Sequence, residues 1–242
     1  MSSLIVPAWP SARPLSDDRS FRSWLKGVAS PSGPDLGGRE KKLNPVIVPI
    51  AVQAELSRGA NEMLAEALAA GPEHLPQRMS VVSERISECL ELSDSTGKTL
   101  LKDLRSRILS PVDVEDLYQL SRSLNSGTAK LGTIASTMSM FSATEAGLHP
   151  IHVTVQSSLE VVSRALNHLN DRERSYTAIQ QLFQYQTAAR QFCRDYFARR
   201  MPAITAPVEM FSAVAARHSY DSLITHLGSL SSAIYRTALK NG

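Results

Sequence analysis

Apolar residues recur at steps of three and four over most of the chain, the period of an amphipathic helix rather than of a strand. The clearest stretch runs from Leu100 to Leu124. Leu100, Leu101, Leu104 and Ile108 fall on one helical face, and Leu117, Leu120 and Leu124 resume the stripe. Between them Ser110-Pro111 stops the first helix, because the residue before a proline avoids the α region and proline offers no N–H to the preceding turn. Asp113 is placed to cap the next helix, with Glu115 and Asp116 in a first turn where carboxylates meet the positive end of the helix dipole. The pattern predicts a helical hairpin.

The same period divides the rest of the chain. A first helix is predicted from about Ile50 to Ala70, ended by Gly71-Pro72, with Ala51, Leu56, Met63, Leu64 and Leu68 as a partial packing stripe. A second runs from about Pro76 to Ile108, and Ser93 and Gly97 stand in its stripe where larger apolar groups are expected. Small residues there allow a close helix approach or leave room for something else. The third, Asp113 to about Phe141, is close to a heptad and should pack antiparallel on the second. Gly147, His149 and Pro150 mark a turn before a fourth helix, Val153 to Leu169. The fifth, Glu173 to Met201, and the sixth, Val208 to Leu239, flank a loop bracketed by Pro202 and Pro207. Long helix, proline joint, long helix thus occurs at 76–141 and again at 173–239, a duplication of organisation more than of residues. The expected fold is an all-α antiparallel bundle of about six helices in two related halves, spanning 43–242.

Residues 1–42, rich in Pro, Gly and Ser, lack this periodicity and read as a flexible arm. Asp17, Asp18 and the scattered prolines make the arm a poor targeting presequence. Trp24 and Leu25 beside Arg22 and Lys26 are suited to touching a membrane surface.

Composition narrows the class. Hydrophobic residues make up 43%, charged residues 20% and aromatic residues 6%, which suits a folded bundle packed through Leu, Ala, Val and Ile. A net charge of +3 is too small by itself to argue for nucleic acid, where affinity comes from a concentrated phosphate-facing patch. The longest apolar run, Val46 to Val52, is interrupted by Pro49 and far shorter than the roughly 20 residues of a membrane span. Cys89 and Cys193 sit among apolar neighbours and read as reduced, packed thiols. The chain has no G-x-G-x-x-G, Walker loop, H-E-x-x-H or G-x-S-x-G, so a non-enzymatic role is expected.

The helix ending in Ser110-Pro111, the Asp-x-Glu-Asp opening at Asp113 and the basic-hydrophobic FRSWLKGV at Phe21 to Val28 resemble the PhoU-related accessory proteins of phosphate permeases, over about residues 78 to 241. The resemblance of Phe21 to Val28 to that family's opening also raises a start downstream of Met1. The resemblance implies a cytoplasmic protein, with a peripheral position at the inner face of the membrane as an option. It implies a membrane phosphate permease or a regulatory protein as partner, with a homo-oligomer left open. Members of the family hold metal ions through acidic pairs at helical spacing, since such cations need several converging oxygens.

Alignment on Ser110-Pro111 places Leu90 and Asp94 at one pair, and Asn125, Ser126 and Ala129 at the next cluster. In the second half Ala188 and Arg190 replace a pair, and Asp221 is kept while Thr225 and Ser229 stand where acids are expected. Asp94, Asp221 and His218 are the remnant metal candidates, and no cofactor is expected. A divalent or iron ion would require ligands elsewhere in the chain.

Two further groups carry polar chemistry. His218 and Asp221 are three apart, whereas His226 lies about 12 Å beyond His218 on a helix, too far to share an ion. These read as surface or hydrogen-bonded helix residues, and His149 and His152 as a loop pair. On the fifth helix, Ile179, Leu182, Ala189, Phe192 and Tyr196 are expected to face inward. Arg190, Arg194, Arg199 and Arg200 then form a solvated surface or a docking patch for an acidic partner, and no nucleic acid is expected.

Overall fold

In the computed structural model, which describes residues 17–29, 46–71, 73–106, 113–140, 146–166, 168–169 and 171–241, the helical period is realised as seven α-helices. They are α1 (Asp18–Val28), α2 (Val48–Ala69), α3 (Leu75–Ser106), α4 (Val114–Met140), α5 (His149–Leu166), α6 (Arg172–Arg200) and α7 (Pro207–Asn241). Ser110-Pro111, Ile108 and Phe141 lie outside the described residues. The cap that follows the joint is present: Asp113 Oδ1 accepts from the backbone N–H of Glu115 at 2.9 Å and of Asp116 at 3.4 Å. Asp171 caps α6 in the same way, accepting from the Arg174 N–H at 3.0 Å. At the α2–α3 turn Gly71 takes φ +86°, the left-handed conformation that glycine reaches at no steric cost after a helix end.

Two expectations change. Part of the stretch expected to be a flexible arm is α1, started by Asp17 accepting from the Ser20 N–H at 2.9 Å. It is anchored because Phe21 is fully buried, with the Arg85 guanidinium 5.3 Å from its ring centroid, and because Trp24 lies on Gly59 of α2. The fourth predicted helix begins at His149, with the HPIH segment in its first turn. Proline is tolerated there because its missing N–H would be unpaired in any case.

α3 and α4 form one hairpin, α6 and α7 the other. α2 packs on α3 and α4, α5 packs on α6, and the two three-helix units meet through α2 on α5 and α4 on α7. Cross-helix bonds fix the register: Lys240 reaches Asp113 and Asp116, His226 reaches Ser123, and Lys130 reaches Ser222, so α4 and α7 run antiparallel. α2 is buried on nearly every side, which explains why its apolar stripe looked only partial. The interior divides into two apolar clusters. One holds Leu56, Met63, Ile86, Leu131 and Phe197, the other Ile50, Leu100, Leu120, Val162 and Ile234.

Candidate functional site

Between the two apolar clusters the bundle has a polar waist, built mainly by α2. Gln53, Ser57 and Asn61 recur at steps of four and so stand on one face of that helix. The Gln53 amide donates to Ser93 O at 2.9 Å. The helices meet closely at Gly97, where a Cβ would lie 3.3 Å from Gln53 Nε2 and 3.4 Å from Ser121 Oγ. Ser93 and Gly97 therefore mark a close approach of α2 and α3, and the Gln53 side chain fills the space. One turn along α2, the Ser57 hydroxyl is 2.8 Å from that of Thr128 on α4.

The third member of the series reaches a fully buried histidine. Asn61 Nδ2 donates to His152 O at 2.9 Å and to Gln156 Oε1 at 3.0 Å, which leaves Asn61 Oδ1 as acceptor, 2.8 Å from His152 Nδ1. His152 thus carries its proton on Nδ1, and Nε2 accepts from the Tyr220 hydroxyl at 2.6 Å. Burial, with a smaller repulsion from His149, pushes the imidazole down to about 3, so it is neutral at physiological pH. The loop pair expected at His149 and His152 is corrected accordingly: both lie on α5, and only His149 reaches the rim, 3.1 Å from Ala65 O. This centre ties α2, α5 and α7 together, and at its edge Gln156 Nε2 is buried without a hydrogen-bond partner among the described residues.

Outside the core, α2 carries a charged cluster toward α1 and α5. Arg58 donates to Glu55 through Nε and Nη2, and its Nη1 lies 3.5 Å from Glu62. Burial raises the Glu62 carboxyl against the opposing effect of Arg58, and burial likewise raises Glu160 on α5. Trp24 closes one side, its indole N–H 3.5 Å from Glu55.

The structure keeps the remnant metal candidates apart or engaged. Asp94 pairs with Lys98 at 2.7 Å on α3. Asp221 on α7 lies 3.8 Å from Arg217, with the Cys193 thiol directed at its other oxygen, and His218 is exposed beside it. Among the described residues no group of three or more His, Cys, Asp or Glu is arranged to hold a metal ion. Cys89 and Cys193 are buried free thiols, both pushed up to about 12 chiefly by burial. His226 is a hydrogen-bonded helix residue, with Nε2 donating to Ser123 O at 2.6 Å.

The outer surface of the second unit differs most from expectation. Ile179, Leu182 and Ala189 face inward as expected, but Phe192 is 43% exposed, and Tyr176 and Phe183 are exposed as well. Phe197 takes the inward position instead, and Phe211 on α7 is 72% exposed. Near the start of α6 and the end of α7, a groove of about 420 Å³ is lined by Tyr176, Ile179, Tyr235, Ala238 and Leu239. Arg190 and Arg194 are exposed farther along the same face of α6. Tyr176, Phe183, Arg190 and Arg194 follow at steps of seven, seven and four, one face of a helix.

The sequence pattern did not single out Gln53, Asn61 and Tyr220, and it read Trp24 as suited to a membrane surface, whereas the indole is seated against Gly59 of α2. A signal for the first two existed in their step of four, which a search for apolar periodicity does not register. The partners of Tyr220 and Trp24 lie far away in sequence and leave no local trace. Comparison with models of known families and with curated proteins gives no match to this chain.

Proposed function

We propose that the protein is a non-enzymatic accessory or regulatory protein of inorganic phosphate transport that acts by docking a helix face onto a permease or a regulator. The observation that carries the docking role is the surface of α6 and α7. It holds most of the large apolar side chains that stand exposed among the described residues. Exposed aromatics of this kind mark recognition surfaces more often than chance. The assignment to phosphate rests on the resemblance at Asp113 to Asp116 and on the two three-helix units, an arrangement of the kind that resemblance implies. The proposal places the protein in the cytoplasm, against the inner face of the membrane when docked. No helix among the described residues is long and apolar enough to cross a membrane.

Affinity purification of the tagged full chain from detergent-solubilised cells tests the proposal. A phosphate permease or its regulator is expected in the eluate, and recovery that excludes both overturns the phosphate assignment. Near-stoichiometric iron, zinc or manganese in protein purified without chelator would instead favour a metal-holding bundle.

A further inference from the structure

The α6–α7 seam combines two features that a solvated helix face does not need together. At one end is the apolar groove of about 420 Å³, with Tyr176, Tyr235 and Leu239 each more than 40% exposed around it. Farther along α6 stand Arg190 and Arg194, neither with an acidic partner among the described residues. Phe183, half exposed, lies between. From Tyr176 to Arg190 is 14 residues, about 21 Å along the helix axis. Resting on the docking role proposed above, we infer that this seam binds an acidic amphipathic helix of a partner protein. Its apolar side chains fill the groove, and its carboxylates, about four turns away, meet Arg190 and Arg194.

The chemistry selects this occupant over two others. Glu173 lines the groove, Asp195 follows Arg194 in the chain, and Asp221 approaches Cys193, the residue before Arg194. A uniformly anionic lipid surface or a nucleic-acid backbone would be repelled at these points, whereas a helix can vary its charge from turn to turn. Two arginines also give few phosphate contacts, but they suffice for bidentate pairing with a pair of carboxylates. The concave groove favours an inserted side chain, as in other helix-in-groove modes.

The test is selection of a phage-displayed library of random 20-residue peptides on the full-length protein, followed by fluorescence anisotropy with the enriched sequences as synthetic peptides. The expected result is enrichment of peptides with apolar residues at helical spacing and a separate acidic cluster. Their binding should weaken with salt and fall about tenfold or more in Arg190→Glu/Arg194→Glu, the size of one or two interfacial charge pairs. Tyr235→Ser with Leu239→Ser should weaken it independently, Arg190→Lys/Arg194→Lys should restore most of it, and Phe211→Ser should leave it unchanged. Enrichment of peptides without acids, no enrichment, or equal binding to the charge-reversed variant overturns the inference. So does arginine-dependent binding of phosphatidylglycerol vesicles or an oligothymidylate that exceeds binding of the peptides. A permease recovered equally by the charge-reversed variant would overturn this seam and leave the docking role standing. Acidic peptides selected in the absence of any recovered permease would do the reverse.

Discussion

At the scale of single residues, the bundle's most constrained chemistry is the Asn61–His152–Tyr220 centre. Removing the tyrosine hydroxyl leaves His152 Nε2 buried with no strong donor. Tyr220→Phe is therefore expected to cost about 1–3 kcal/mol in urea denaturation while leaving the helical circular dichroism signal unchanged. The same centre gives a pH dependence. His152 is depressed to about 3 in the fold and returns to about 6.5 on unfolding, so below pH 6.5 the unfolded chain binds a proton that the folded chain refuses. Stability should therefore fall as pH drops from 6.5 toward 3, by up to about 1.4 kcal/mol per pH unit from this group. His226, also held down mainly by burial, acts in the same direction, whereas Glu62 and Glu160, held up, act oppositely. The difference between wild type and His152→Gln isolates the contribution: the two stability curves should converge as pH falls, and parallel curves would refute it.

Between elements, the decisive contacts are made by glycines where helices touch. A Cβ at Gly97 would press on Gln53 and Ser121, so Gly97→Leu should destabilise the α2–α3 contact by about 1–3 kcal/mol, measured by chemical denaturation. A Cβ at Gly59 would lie 2.2 Å from Cζ2 of Trp24. Gly59→Ala is therefore expected to push the indole out of its seat, loosen α1, and red-shift tryptophan emission in a Trp9→Phe background. An unchanged spectrum would show that α1 adjusts without release. Helix boundaries were the most legible part of this level. Asp113 announces the start of α4 by its own chemistry and accepts the N–H bonds expected of a cap, and in the structure Asp171 does the same for α6. α1 was not legible, because an isolated 11-residue helix has no stability of its own. Its anchor is the hole at Gly59 and the space that buries Phe21, both supplied by residues distant in sequence.

For the whole molecule, two three-helix units share contacts along α2 with α5 and along α4 with α7, and the Asn61–His152 bonds and the His226–Ser123 and Lys130–Ser222 bonds cross between them. Neither unit buries its core without the other. Denaturation followed by far-ultraviolet circular dichroism and by tryptophan emission should therefore give one coincident transition, and separated midpoints would mean that the units unfold independently. The outer surface is organised on the same scale. Tyr176 and Ile179 of α6 come to lie beside Tyr235 and Leu239 at the end of α7 only because the last two helices form a hairpin.

The sequence by itself determined that the chain is helical, where six of its seven described helices lie, and how α4 is capped. Those properties depend on residues within a few positions of one another, through the period of the helix, the rigidity of proline and the reach of a capping carboxylate. Only the tertiary structure decided which face of each helix is inside. Phe192 and Phe211 follow an apolar step yet stand in solvent, while Gln53, Asn61 and His152 are polar yet fully buried. The reason is that burial is settled by what each face meets, and a polar side chain enters a core when a partner from another helix satisfies its hydrogen bonds. Those partners are 40 to 91 positions away along the chain, at Ser93 for Gln53 and at His152 for Asn61, beyond the reach of any local pattern.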